Sequence, residues 1–191
     1  MFKDFDVNII DNYLKEKFPI VLEFEFDGLM LLIGGTIKDL MMGKKNSRDI
    51  DFTLLTQKKG NLDEFIKKYQ LNVIATITNG CAIKYNDTYI CIKTLNDLYY
   101  SGHLSTDYLF YDIKRKQLIP IGIKKCIEKN TITDYCYKGY YKPKRRLKKA
   151  KEFLYYLNGN KKPKVKRKYN LVFNLFLSFI KHPTKLFKRS S

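Results

Sequence analysis

Two short stretches hold residue types that do chemistry together. The first runs Leu32-Ile33-Gly34-Gly35-Thr36-Ile37-Lys38-Asp39-Leu40-Met41-Met42-Gly43; the second is Arg48-Asp49-Ile50-Asp51-Phe52. Leu29 to Ile33 is an apolar run closed by Gly34-Gly35, which predicts a buried strand, and Thr36 to Met42 predicts a helix ended by Gly43. Two glycines at a strand-to-helix junction let the backbone approach a ligand closely, and the helix N-terminus behind them offers N–H groups to a phosphate. Ile50, Phe52 and Leu54 alternate with Asp49, Asp51 and Thr53, the period of a strand, so the two aspartates share one face. Carboxylates that close repel unless a cation sits between them, and the hard, oxygen-seeking Mg²⁺ is the natural one. A phosphate cradle beside a Mg²⁺ clamp is the equipment of phosphoryl or nucleotidyl transfer. Each half alone has a plainer explanation, a turn for Gly-Gly and an exposed strand edge for Asp-x-Asp; the weight lies in the combination.

These stretches need a scaffold. Phe5, Val7, Ile10, Tyr13, Leu14 and Phe18 predict an amphipathic helix over 5–17. Asn61 followed by Glu64 resembles a capping box, opening a helix with Leu62, Phe65, Ile66 and Tyr69 on one side. Residues 72–78, 80–85 and 88–94 read as strands, with Asn86-Asp87 as a hairpin turn. Tyr108 to Ile113 and Gln117 to Ile121 form a further apolar pair around Lys114–Lys116. The order is that of a mixed α/β (α+β) domain over 1–137.

Charge divides the 191-residue chain at the same place. Residues 1–137 hold 19 Lys/Arg against 18 Asp/Glu, whereas 138–191 hold 18 Lys/Arg against Glu152 alone. Such a basic extension expects a polyanion: nucleic acid, or an anionic membrane surface. In it, 143–157 predicts a helix with Leu147, Ala150, Phe153, Leu154 and Leu157 toward one side, 161–168 reads as a lysine-rich linker, and 171–180 is an apolar segment. Lys142, Lys144, Arg145, Arg146, Lys148 and Lys149 are the candidate RNA- or polyanion-binding residues. The apolar cluster 171–180, with basic borders across 161–189, is also how a peripheral membrane helix is built, and it equally suits packing against protein. No apolar stretch reaches the roughly 18 residues of a membrane span, and Met1 to Asp6 lack a signal-peptide layout, so a cytoplasmic protein, peripheral to a membrane if 161–189 engages one, is expected. Cys81, Cys91, Cys126 and Cys136 form no C-x-x-C pair and no ligand spacing with His103 or His182, which argues for reduced thiols over zinc or disulfides.

Gly34-Gly35-x-x-Lys38-Asp39-Leu-x-x-Gly43 followed by Asp49-x-Asp51 resembles the head-domain signature of the CCA-adding enzyme and bacterial poly(A) polymerase family, Gly-Gly-x-Val-Arg-Asp-x-x-Leu-Gly and then Asp-x-Asp. Weaker similarity continues through Tyr89–Leu95, Leu104–Ile113, Leu118-Ile119-Pro120 and Arg146–Phe153. The resemblance implies a nucleotidyltransferase-type mixed sheet with flanking helices, followed by a short basic helical extension. It implies an Mg²⁺-dependent, template-independent enzyme that moves a nucleoside monophosphate from a nucleoside triphosphate (ATP or CTP) to a hydroxyl, an RNA 3′ end such as that of a tRNA. Asp49 and Asp51 would be catalytic and hold two Mg²⁺ ions; Gly34, Gly35, Lys38 and Arg48 would bind the nucleotide.

The chain departs from that pattern at identifiable residues. Lys38 stands where the family has arginine, keeping the charge and losing the fork of donors. Cys91 stands where related enzymes carry a third acid, and Ser101, Gly102 and His103 fall on the Arg-Arg-Asp motif. Asp107 and Asp112 are the nearby acids that could serve as the third. Two other functions therefore stay open: transfer to a non-RNA acceptor at a membrane surface, and a catalytically silent nucleotide- or RNA-binding module.

Overall fold

A computed structural model describes residues 5–44, 49–56, 60–95, 104–121, 123–135 and 144–168. Helices α1 (Asn8–Lys17) and α2 (Ile20–Glu23) precede the central strand β1 (Leu29–Ile33), the helix α3 (Gly35–Met41) and the strand β2 (Asp49–Leu55). Helix α4 (Asn61–Lys68), strands β3 (Asn72–Ile77), β4 (Gly80–Tyr85), β5 (Thr88–Leu95), β6 (Leu109–Asp112) and β7 (Gln117–Pro120) follow; then come α5 (Ile123–Glu128), β8 (Thr131–Tyr135), α6 (Lys144–Leu157) and β9 (Lys164–Lys168).

Seven strands form one mixed sheet in the order β3-β4-β5-β2-β1-β6-β7. β1 runs antiparallel to both β2 and β6, while β2 and β5 are parallel. One sheet face is apolar: Met30, Leu32, Ile50, Phe52, Leu54, Ile90 and Ile92 are buried, as period two requires. Phe18, between α1 and α2, packs on it, with its ring 5.9 Å from Phe52, 6.0 Å from Phe65 of α4 and 5.0 Å from Tyr85. Each such fully buried side chain contributes about 1.5–3 kcal/mol. Tyr111 of β6, also buried, donates its hydroxyl to Asp11 of α1, and Lys116 caps the same carboxylate at 3.1 Å.

Packing divides the chain into two units: 1–102 with 107–124, and 103–106 with 125–191. This division follows contact and differs from the charge boundary at 137. In the second unit β8 and β9 form a parallel ladder in which Ile132 faces Val165, and Thr133 N–H donates to Ser105 Oγ. Residues 164–168, read above as linker, are thus strand: Val165 supplies the one apolar position that the lysine-rich composition hid. The helix over 143–157 is α6, with Ala150, Phe153 and Leu154 buried. The capping box at Asn61 does not form. Gly60, in the left-handed region at φ +95°, is the N-cap, and Asn61 turns inward to accept from the Asp27 N–H at 3.2 Å. Tertiary demand on a buried amide outweighs the local cap. Among the described residues no helix is long and apolar enough to cross a membrane. His103, Arg48, Lys142, Cys136 and the segment 171–180 lie outside the described residues.

Candidate functional site

The Gly34-Gly35 bend and the Asp-x-Asp strand meet at the middle of the seven-stranded sheet, within the first unit. Ile33 at the end of β1 pairs with Asp51 near the start of β2. Gly34 then turns the chain at φ +79°, ψ −141°, a conformation that side-chain-bearing residues rarely adopt. Its bare Cα faces the aspartate: a Cβ built there would lie 3.0 Å from Asp51 Oδ2 and 3.8 Å from Cγ. The Thr36 hydroxyl donates to the Asp49 carbonyl oxygen at 3.1 Å, tying the first turn of α3 to the start of β2. Glycine bend, helix and carboxylate strand thus meet at one junction. The seven residues of α3 make about two turns, so its dipole is short.

Asp49 and Asp51 sit on the sheet face opposite the apolar one; Asp49 is exposed and Asp51 half-buried. Parallel pairing puts Tyr89 beside Asp49 and Cys91 beside Asp51. Burial pushes the Cys91 thiol above its ordinary range, the Asp51 and Asp49 charges push it further, and Lys93 pulls the other way. Cys91 is therefore a neutral thiol at neutral pH, and β5 brings no third negative charge.

The other candidates are placed elsewhere. Lys38, on a helix buried along nearly its whole length, directs Nζ to Asp107 Oδ1 at 2.8 Å, the side chains being 4% and 11% exposed. An ammonium in that position requires a counter-charge, and Asp107 provides it. The structure thus joins the residue expected to grip phosphate to one of the two acids expected to complete the carboxylate set. Asp112, the other, is fully buried on β6 opposite Leu31. It accepts from the Arg115 backbone N–H at 3.0 Å and from its guanidinium at 3.1 Å, closing the β6–β7 turn. β1 stands between it and Asp51. Among the described residues no three His, Cys, Asp or Glu side chains are grouped to hold a metal ion. The Asp49–Asp51 pair still suits one Mg²⁺, which is commonly bound by one or two carboxylates together with substrate phosphates and water.

In the second unit, α6 presents Lys144, Arg145, Arg146 and Lys148 to solvent, with Lys149 half-buried, and β9 adds exposed Lys164 and Lys166. Tyr155 and Tyr156 are exposed on the same helix. Sequence reasoning did not anticipate the cation of β5, Lys93, which shares a strand face with Cys91 two residues away. The signal was the period-two pattern of 88–95.

Comparison with solved structures settles the architecture. A CCA-adding enzyme in complex with ATP superposes with a TM-score of 0.53 at 15% identity, over 93% of this chain and 43% of that one. The chain shares its fold with part of that enzyme. A structure described as a tRNA-processing enzyme, apo form I, gives 0.52 at 17% identity over 90% of this chain and 47% of its own. Its apo form 2 gives 0.50 at 16% identity over 79% and 45%. The chain spans less than half the length of these structures. No family model matches the sequence, and no curated protein does. At such identities the likeness is one of fold: a seven-stranded mixed sheet with flanking helices.

Proposed function

We propose that this chain transfers a nucleoside monophosphate from ATP or CTP to the 3′-hydroxyl of an RNA. The observation that carries the proposal is the junction itself: Asp51, on the same strand face as Asp49, lies directly against the bare Cα of Gly34. Solved structures with this fold, described as a CCA-adding enzyme with ATP and as tRNA-processing enzymes, support the same substrate classes.

Asp49 and Asp51 would hold Mg²⁺, which when bound supplies positive charge to the triphosphate and acidifies the acceptor hydroxyl. The chain's own part is positioning. Gly34 and Gly35 let the phosphates approach the backbone without a side chain in the way. The Thr36–Asp49 hydrogen bond would keep the cradle and the carboxylates in register, as in-line displacement of pyrophosphate by the acceptor oxygen requires. No covalent intermediate is needed. Lys144, Arg145, Arg146, Lys148 and Lys149 of α6 would draw the RNA backbone by charge without reading its sequence.

The test is transfer of label from each α-labelled triphosphate to total RNA in the presence of Mg²⁺. Asp49→Ala and Asp51→Ala are expected to reduce it about a hundredfold or more, the scale of losing one electrostatic element of an active site, with folding intact. One observation favours a second reading: Cys91, a neutral thiol, occupies the place of an acid. If the wild-type protein binds nucleotide and RNA but transfers nothing, the chain is a silent binding module.

A further inference from the structure

Resting on the Asp49–Asp51 site, we propose that Lys93 is a phosphate-binding residue of that site, its ammonium contacting the β- and γ-phosphates of the bound nucleoside triphosphate. The need comes first. A triphosphate brought against two carboxylates requires more positive charge than one divalent ion supplies. Lys38, the cation the sequence offered, is closed on Asp107 and neutralised there.

Lys93 meets the need by register. β5 lies parallel to β2, with Cys91 beside Asp51 and Lys93 beside Thr53. Asp49, Asp51 and Thr53 therefore form one row, and Tyr89, Cys91 and Lys93 the adjoining row of the same face. The Lys93 Cα stands about 7 Å along the strand from that of Cys91 and about 8 Å diagonally from that of Asp51, well within the swing of a lysine side chain.

The surroundings leave the side chain room. On its other flank Lys93 pairs with Gly80, where a Cβ would fall 2.0 Å from the Ile92 carbonyl oxygen and 2.9 Å from the Lys93 Cα. β4 can place no side chain there. Lys93 is exposed.

Binding of N-methylanthraniloyl-ATP with Mg²⁺, followed by fluorescence, tests this without requiring turnover. Lys93→Ala should weaken binding about tenfold, the worth of one charge-assisted hydrogen bond, while binding of the matching monophosphate stays unchanged. Lys93→Arg should restore most of the loss. Lys84→Ala, which removes an equal charge from the same face opposite Tyr89 on the next strand, should have little effect. Equal binding by Lys93→Ala and wild type overturns the assignment, and so does an equal loss in Lys84→Ala, which would mean general surface charge. If Asp51→Asn weakens Mg²⁺-ATP binding and Lys93→Ala does not, Lys93 alone is misassigned. If the wild type binds no triphosphate, or Asp51→Asn binds it as well as the wild type, the site and the inference fall together.

Discussion

Lys38 Nζ lies 2.8 Å from Asp107 Oδ1, and almost nothing of either side chain reaches solvent. The pair links a helix that follows β1 to the segment that enters β6, residues 69 positions apart in the chain. Removing one partner strands a buried charge, which costs roughly 3–5 kcal/mol, whereas replacing both by apolar groups of similar size is often neutral. Lys38→Met and Asp107→Leu alone should each lower stability by about that amount, and the double variant should regain most of it. Denaturant unfolding monitored by circular dichroism reads the cycle. Nucleotide binding by the double variant should stay near the wild-type value; a large loss there would return Lys38 to the phosphates.

Gly34 and Gly43 form a matched pair of probes. Both have positive φ, +79° and +72°, but a Cβ on Gly34 would meet Asp51 Oδ2 at 3.0 Å, while one on Gly43 would meet nothing within 4 Å. Alanine at either position should cost about 1–3 kcal/mol for the backbone conformation. Only Gly34→Ala crowds the Asp51 carboxylate, so it alone should reduce label transfer, by less than the roughly hundredfold of a full 1 Å misplacement. Equal transfer by the two variants would separate the glycine bend from the chemistry.

Alkaline stability should report the buried thiol of β4. Burial, with Cys91 and then Asp63 adding, pushes the Cys81 thiol up from 9.0 to about 11. The fold therefore favours the protonated form. Its contribution is complete below about pH 9, where the unfolded thiol is also protonated, and is lost as the pH rises toward 11. Tyr111, likewise raised by burial and then by its hydrogen bond to Asp11, acts in the same direction. The denaturant midpoint should fall between pH 9 and 11, and less steeply in Cys81→Ala. Identical slopes would show that the thiol titrates normally.

Much of this protein is legible without coordinates because its elements are short and strongly patterned. The run Leu29–Ile33, flanked by glycines, leaves little choice but a buried strand, and it is β1 to the residue. Alternation over 49–54 placed Asp49 and Asp51 on one face, and β2 carries them so. The Asn86-Asp87 turn joins Tyr85 to Thr88, with Asn86 at φ +50°. β9 was missed because four of its five residues are Lys or Arg and its partner β8 lies 33 positions away in the register. Asn61 was misjudged because its deciding partner, the Asp27 N–H, is 34 residues distant.

Local spacing thus determined which residues share a strand face and where the chain must bend, since period two and the freedom of glycine are properties of a few consecutive residues. The tertiary structure alone decided what each charge meets. It closed Lys38 on Asp107, turned Asp112 to Arg115, and set Cys91 beside Asp51. Those partners come from strands brought together by sheet order, and ion pairing depends on distance in space, which the sequence does not state.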